Sequence, residues 1–490
     1  MMAPNVFVVS LLLLLIPASV SLQLNEEEGL IFGAISEKGL DYAKDLLIHE
    51  AMSSIVALQL PQIEKSATVR LVGECKIVLS NITFVDVNIT SSYVRTGEKG
   101  IVLIASGGTA NLSMNWSYSC STWLLPVSVS DSGDAFVEVK GMQAGMTLNF
   151  ENQEGSLKLI LLDYGCFVGD LSIRLHGGAS WLYQRIADLF EGKIASAVED
   201  AISGKIREGI SKLSSSLQSL PKEISLGKTA VLNVSYVNNP VLTNSSIEFE
   251  INGLFTKENE ILIPQGCHRE PETSFSCGGL SKMIKISVHE NVLNSASLVY
   301  FNAGYMQWMV DKLPDQALLN TAAWRFLVPQ LYEKYPNKDM ELNISVSSPP
   351  TIKVTNQDIS ATIFVDIIVN VENAGEVACI SMEVSASCSA EILRNNIAGS
   401  LRLNDFSTYL KWSKIGPLHM HLIQVVMSTI LRTALLPFVN LLLRGGFPLP
   451  YLHGFALQNA HTFYNAPWFA ICSDISFLRR SYLSKLPGYV

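Results

Sequence analysis

Trp181–Leu220 reads WLYQRIADLFEGKIASAVEDAISGKIREGISKLSSSLQSL. Apolar residues recur at Leu182, Ile186, Leu189, Ala197, Ile202, Ile206, Ile210, Leu213, Leu217 and Leu220. Glu191, Lys193, Glu199, Asp200, Lys205 and Lys212 occupy the other side. That spacing predicts one long amphipathic helix. At about 1.5 Å per residue it spans roughly 60 Å, with Gly204 and Gly209 placed to bend it.

Strands precede it, from about Val69 to Leu175. Val85–Ile89 (VDVNI) and Met146–Phe150 (MTLNF) alternate with period two, and Gly97 and Gly100 in RTGEKG mark a hairpin tip. Before the strands, Leu40, Ala43, Leu47, Ala51, Ile55 and Leu58 form a helical stripe over Ser36–Leu58. The order repeats downstream. A helical stretch from Asp315 restarts at Pro329. Strands follow from about Glu341 to Trp412, as in Ile359–Ile363 (ISATI) and Leu401-Arg402-Leu403. An apolar helix over Leu418–Leu443 closes the block, read as buried and broken at Pro437. Helix, long antiparallel sheet, helix, twice over, predicts two related domains, with the turn-rich stretch Asn259–Ser281 between them.

Composition agrees with large cores. Of 490 residues 48% are hydrophobic and 16% charged, against roughly 25% charged in ordinary soluble domains. Disorder as the main state is excluded. Lys+Arg 35 against Asp+Glu 44, a net charge of −9, excludes a basic nucleic-acid binder. The apolar run Val6–Ile16 (VFVVSLLLLLI) is 11 residues long, short of the roughly 20 that a bilayer span needs. Pro17, Ala18, Ser19 and Ser21 follow it, which predicts a signal peptide over 1–21 cleaved near Ser21–Leu22, although its start carries no Lys or Arg. Leu422–Leu443 is not read as a span, because Gln424, Arg432 and Pro437 interrupt it. The chain is therefore read as secreted, with a vacuole or another luminal compartment left open as the destination.

Seven Asn-x-Ser/Thr sites, at Asn81, Asn88, Asn111, Asn115, Asn233, Asn244 and Asn343, predict a glycoprotein. Asn88, Asn233 and Asn343 sit between apolar neighbours. A glycan must face water, so the alternate Val, Leu and Ile are expected to face inward. Long sheets with one apolar face, backed by apolar helices, make open barrels plugged by a helix. Either the interior simply packs, or the helix leaves a gap that a lipid fills.

Eight cysteines suit an oxidising compartment but are too sparse for a disulfide scaffold. Cys267 and Cys277 bracket a short polar loop and form the best local pair. Cys379 and Cys388 share one predicted strand, some 30 Å apart along it, and are not expected to pair. Metal binding is the other use of cysteine, but no C-x-x-C occurs and histidines are scattered. His419 and His421 come nearest to a metal pair. No metal or cofactor is expected. Neither G-x-S-x-G, H-E-x-x-H nor a P-loop occurs, so the chain is not read as an enzyme. A hydrolase whose site is assembled from distant residues is the alternative of another class.

Several motifs resemble, in order, the family of bactericidal permeability-increasing protein, lipopolysaccharide-binding protein and the plasma lipid-transfer proteins. They are Gly33–Ala43 (GAISEKGLDYA), Ser180–Gln184 (SWLYQ), Leu298–Gly304 (LVYFNAG), Ser347–Pro350 (SSPP), Met382–Ala386 (MEVSA), Ile415–Pro417 (IGP) and Gly446–Pro450 (GFPLP). The resemblance runs from about residue 29 to the C-terminus. It implies a boomerang of two antiparallel barrels with helices inside, joined by a central sheet, and an apolar pocket for acyl chains under each barrel. In those terms 22–256 is the N-terminal lipid-binding barrel and 257–282 a linker. Residues 283–490 form the C-terminal barrel with a strand returning to the central sheet. Leu40, Leu47, Ile55, Leu182, Ile186 and Leu189 are the expected acyl-chain contacts. The expected partners are phospholipid or bacterial lipopolysaccharide and a membrane surface, for a monomer in innate defence; a general lipid carrier with no endotoxin role is the alternative.

Two departures from the family stand out. Its antibacterial members tie the strand before the long helix to a cysteine in that helix. Cys166 holds the first position, but the second falls on Ser203, so the resemblance leaves Cys120 as the substitute partner of Cys166. Residues 25–250 carry 17 Lys+Arg against 26 Asp+Glu, a balance of −9, whereas 251–490 balance at 18 each. The basic tip that collects lipid A phosphates in endotoxin-binding members is reduced here to Arg95 and Lys99 with Glu98 between them. Long-range attraction of an anionic aggregate is then weak, although a local cation pair still suits one phosphate.

Overall fold

The computed structural model describes residues 29–69, 73–121, 128–176, 183–226, 229–257, 277–312, 316–393, 396–445, 447–448 and 455–477. The signal segment 1–21, Leu182 and Cys267 lie outside the described residues. Contacts divide the chain into two compact units. One is 35–220 with 239–248; the other takes 29–34, 221–238 and 249–477 among the described residues. The units are thus not the sequential halves 22–256 and 283–490, because 221–238 and 249–256 pack with the later strands. Both units mix helix with sheet, and sheet predominates.

β1 (Ile31–Ser36) leads into α1 (Glu37–Ile55) of the first unit, which is capped by Ser36, whose hydroxyl accepts from the Gly39 N–H at 3.3 Å. Its buried positions are Gly39, Leu40, Lys44 and Ile55. The expected stripe is only partly covered, since Ala43 and Ala51 are exposed and Leu47 is half-buried. β2 (Ile63–Val69), β3 (Gly73–Asn88), β5 (Gly100–Ser121), β6 (Ser128–Gln153) and β7 (Ser156–Phe167) follow as one antiparallel sheet in that order. β4 (Ser91–Gly97) pairs with β5, and β8 (Asp170–His176) with β6. The β4–β5 turn is the hairpin expected at RTGEKG, with Gly97 opposite Gly100. Gly100 has φ +125°, and a Cβ there would meet the Leu148 carbonyl oxygen. The sheet order is open, and the described strands do not close it into a barrel.

β5 shows why one face of this sheet is apolar. Ala110, Leu112, Met114, Trp116, Tyr118 and Cys120 are buried, while Asn111, Asn115 and Ser119 alternate outward. Alternation fails at Val85, which is 54% exposed. The β3–β5 register shifts between Phe84 and Asp86, so Val85 is the extra residue of a bulge.

α2 (Tyr183–Gln218) runs 36 residues, continuous through Gly204 and Gly209. It covers the apolar face with Phe190, Ile194, Val198 and Ile202, all in one cluster with the sheet interior. The deepest stripe is therefore turned from the expected one. Ile202 and Ile210 are buried, but Leu189 and Leu213 are half-buried and Leu220 is 50% exposed. Polar contacts fix the helix: the Val168 N–H donates to Glu199 Oε1 at 2.8 Å and the Leu159 N–H to Ser214 Oγ at 3.1 Å.

The second unit opens with β9 (Glu223–Leu226) and β10 (Ala230–Asn233). After the short hairpin of β11 (Val241–Leu242) and β12 (Ser246–Ile251), β13 (Phe255–Thr256) pairs with β10. β14 (Ile284–His289) leads into α3 (Glu290–Asn302), a helix the sequence reading missed. Then come β15 (Gln307–Val310), two 3₁₀ turns at Gln316–Leu319 and Thr321–Trp324, and α4 (Pro329–Lys334), so the expected helical stretch after Asp315 is three short pieces. β16 (Met340–Val346), β18 (Ile359–Val371), β19 (Gly375–Leu393) and β20 (Asn396–Ser413) form its long antiparallel sheet, with β15 beside β16 and β17 (Thr351–Val354) on β18.

α5 (Met420–Ile430), a π-helical turn at Leu431–Leu435 and α6 (Leu436–Arg444) make one helical run. Pro437 does not break it. Proline lacks an N–H and crowds the carbonyl four residues back; the wider turn lies immediately before it and accommodates both effects. Asn440 fastens the run to β20, accepting from the Leu401 N–H at 2.6 Å and donating to its carbonyl at 2.9 Å. After β21 (Phe447–Pro448), β22 (Phe455–Asn465) pairs with β23 (Trp468–Phe477), which returns to pair with β14.

Both expected disulfides are corrected. Cys277 bonds Cys472 of β23, not Cys267, and Cys120 bonds Cys75, leaving Cys166 free. Antiparallel pairing sets Cys75 directly opposite Cys120. Cys379 and Cys388 are both free, as their common strand β19 requires.

Candidate functional site

The segment leaving α1 runs Leu58-Gln59-Leu60-Pro61-Gln62-Ile63 toward β2. Its backbone is tied to β3, with Leu60 N–H donating to the Ile82 carbonyl at 2.8 Å. Facing it, α2 presents Ala197, Ala201 and Gly204, three small residues at helical spacing. Because these side chains stop short, a cleft of about 1010 Å³ stays open between segment and helix. That is at the upper end of ordinary small-molecule sites, roughly 300–1,000 Å³. Leu58, Leu60, Pro61 and Ile63 line one wall and Ala197, Ala201 and Gly204 the other.

The rim is charged and balanced. Lys193, Lys205 and Arg207 share it with Glu64, Asp200 and Glu208. Glu208 accepts from Lys205 Nζ at 2.9 Å and from Lys212 Nζ at 2.6 Å, and these bonds hold its carboxyl down at about 2. Glu64 is lowered by its hydrogen bond from Lys76, at 2.6 Å, and then by that from Gln62. The mouth can therefore offer cations to a phosphate, but it attracts no anion from afar.

None of the described acyl-contact candidates lines this cleft. Leu40 is a buried residue of α1, Ile55 belongs to the sheet–helix core, and Leu189 packs against that core. Ile186 lies within α2. Arg95 and Lys99 are both exposed on the β4–β5 hairpin, and the Arg95 guanidinium lies 5.4 Å from the Tyr93 ring centre. They do not line the cleft either. Sequence reasoning missed the cleft because it scored large apolar residues. The signal that marks it is the run of small ones at 197, 201 and 204 within an otherwise bulky stripe.

Of the sequon asparagines, Asn81, Asn88, Asn111, Asn115 and Asn244 are exposed and Asn233 and Asn343 half-buried. Asn233 Oδ1 accepts from the Ser235 N–H and hydroxyl at 2.9 and 2.6 Å. Among the described residues no group of three His, Cys, Asp or Glu side chains is placed to hold a metal ion, and no helix is long and apolar enough to cross a membrane.

Fold and cleft together define a protein of two sheet-and-helix units, one of which keeps an open groove along its longest helix. Family comparison places it further. The description "LBP / BPI / CETP family, N-terminal domain" matches residues 39–214 and "LBP / BPI / CETP family, C-terminal domain" matches 224–477. A BPI/LBP family protein of Arabidopsis thaliana is 48% identical over 450 residues, covering 91% of this chain and 92% of its own. Lipopolysaccharide-binding protein of Homo sapiens is 24% identical over 96% of this chain and 98% of its own. Bactericidal permeability-increasing protein of Sebastes schlegelii is 25% identical over 90% and 94%. The crystal structure of lipopolysaccharide binding protein superposes with a TM-score of 0.62 at 21% identity, covering 92% of this chain and all of that one. The chain belongs to the LBP / BPI / CETP family. Members of this family are non-catalytic, and the chain is not an enzyme.

Proposed function

We propose that this is a secreted lipid-binding protein that holds acyl chains of phospholipid or bacterial lipopolysaccharide in the cleft beside α2, and that it serves in defence recognition. The observation that carries the proposal is the cleft itself, where Leu58, Leu60, Pro61 and Ile63 face Ala197 and Ala201 among the polar Gln59, Gln62, Ser196 and Ser211, with cations among the charges at its mouth. The likeness along nearly the whole chain to proteins named for lipopolysaccharide binding and bactericidal permeability supports the lipid class. In this reading each unit is an open barrel wrapped on its helix, and the protein works as a glycosylated monomer outside the cell or in a luminal compartment. The inward apolar faces of β5 and α2 and the two disulfides support it.

Delipidated full-length protein should extract labelled phospholipid from vesicles. Ala201→Trp, which fills the cleft from the α2 side, should cut extraction at least tenfold with an unchanged melting temperature. Equal extraction by the variant removes the cleft from the proposal.

A second reading, a general carrier with no endotoxin role, is favoured by the balance of −9 over 25–250. Titration of lipopolysaccharide and phosphatidylcholine against the intact protein separates the two. Preference for lipopolysaccharide that Arg95→Glu with Lys99→Glu weakens supports endotoxin binding through the hairpin. Equal affinity, untouched by those changes, supports the general carrier.

A further inference from the structure

The outward face of the α5–α6 run differs from that of every charged surface helix. On α2 the exposed residues are charged, among them Glu191, Lys193, Asp200, Arg207 and Lys212. On α5–α6 the inward positions Ile423, Leu431, Val439 and Leu443 are buried, as expected. Large outward residues at both ends of the run are apolar too: Val425 is 65% and Leu441 69% exposed. Val425, Thr429, Thr433, Pro437 and Leu441 recur every four residues on the exposed side. Against a repeat of about 3.6 that spacing drifts around a regular helix. The π turn at Leu431–Leu435 takes more residues per turn and so reverses part of the drift, keeping the stripe on one face. Exposed Arg432 and Arg444 flank the stripe.

Charge says what covers this face. No Asp or Glu occurs between Asp405 and Asp474. From 406 to 490 the chain carries seven Lys or Arg against one Asp, a balance of +6 within a protein of net −9. Lys411 is taken up by Asp366 at 2.6 Å, but Arg432 and Arg444 stand on the apolar stripe itself. Another soluble protein surface would call for carboxylates or matched polar groups. Exposed apolar side chains with arginines and no carboxylate along the same run are the make-up of a helix that lies in the interface of an anionic bilayer.

We propose that the α5–α6 run is a membrane-docking surface: Val425 and Leu441 enter the headgroup–acyl boundary of an anionic phospholipid bilayer, and Arg432 and Arg444 meet its phosphates. The docking is shallow and reversible, since no segment of the run spans. It does not depend on acyl chains in the α2 cleft, and its test reads docking rather than extraction.

The test is flotation of the full-length protein with vesicles of phosphatidylcholine alone or with about a third phosphatidylglycerol. Wild type should float at least fivefold more with the anionic vesicles. Val425→Gln with Leu441→Gln should abolish that flotation, and Arg432→Gln with Arg444→Gln should remove the preference for anionic vesicles. Both pairs are exposed, so melting temperatures should stay within a few degrees of wild type. Flotation that neither pair changes overturns the proposal. So does a wild-type dimer that Val425→Gln with Leu441→Gln converts to a monomer, because the face is then covered by a second copy.

Discussion

Cys166 sits half-buried on β7, and burial first, then the Glu199 carboxylate, pushes its thiol up to about 11. Burial and Asp358 push Cys388 to about 11 as well. The thiolate is the reactive form, so about one molecule in a thousand carries it at pH 8. Iodoacetamide at that pH should leave both thiols unmodified while a peptide thiol reacts fully. Glu199→Gln, which keeps the acceptor for the Val168 N–H, should speed labelling of Cys166 alone; full-rate labelling of the wild type would show the burial to be wrong. Glu290 gives a residue-scale pH effect. Burial raises its pKa, offset in part by the Val354 N–H donating at 2.8 Å and by Lys353. The folded protein then binds its proton more tightly than the unfolded chain. This contribution to stability is complete below the ordinary carboxylate value, and it is lost as pH rises through the raised folded value. Glu290→Gln keeps an acceptor and cannot titrate. The stability difference, wild type minus variant, should therefore fall in denaturant titrations as pH rises above the ordinary carboxylate value of about 4.3; parallel curves would sink the assignment. Cysteine pairing was not legible at this scale. Cys75 and Cys120 lie 45 residues apart and are brought together by strand register, whereas Cys277, 195 residues from Cys472, meets it from a bend ahead of β14.

At the scale of elements, period was legible and phase was not. The sequence shows one helix over Trp181–Leu220, and the protein has one over Tyr183–Gln218. Yet the deepest line is Phe190, Ile194, Val198 and Ile202. Apolar residues are frequent enough on α2 to support two neighbouring stripes, and the sheet interior chooses between them. Ile194→Ala should therefore cost about 2–5 kcal/mol. Leu217→Ala, half-buried near the helix end, should cost about 1 kcal/mol or less. Equal losses in denaturant melts would restore the phase read from sequence. α3 escaped notice because serines interrupt its stripe. Ser295 and Ser297 are buried there, and Ser295 Oγ donates to the Val292 carbonyl while accepting from the Phe255 N–H at 3.0 Å. The satisfied Ser295 hydroxyl occupies a core position that pattern counting reserves for carbon, while the Ser297 hydroxyl is buried without a partner among the described residues. The cleft was hidden by the same habit in reverse, since what makes it is side chain that is missing at Ala197, Ala201 and Gly204.

For the whole molecule, a net charge of −9 conceals two opposed regions: residues 25–250 balance at −9 and residues 406–490 at +6. The acidic one contains the cleft and the basic one the exposed helical run, so two lipid contacts should answer differently to salt. Acyl chains in the cleft contribute about 0.8 kcal/mol per buried methylene, a term without charge. Contact between Arg432, Arg444 and an anionic bilayer is Coulombic. Raising the salt from about 0.15 M to about 1 M shortens the screening length from about 8 Å to about 3 Å, which weakens the second contact and leaves the first. Lipid once extracted should therefore remain bound at high salt, as measured by lipid recovered after gel filtration. Flotation with anionic vesicles should fall severalfold under the same change. If both readouts fall together, cations rather than acyl burial hold the lipid at the cleft, and Lys193, Lys205 and Arg207 become the residues to neutralise. If neither falls, the apolar stripe alone carries docking and the arginines beside it are incidental.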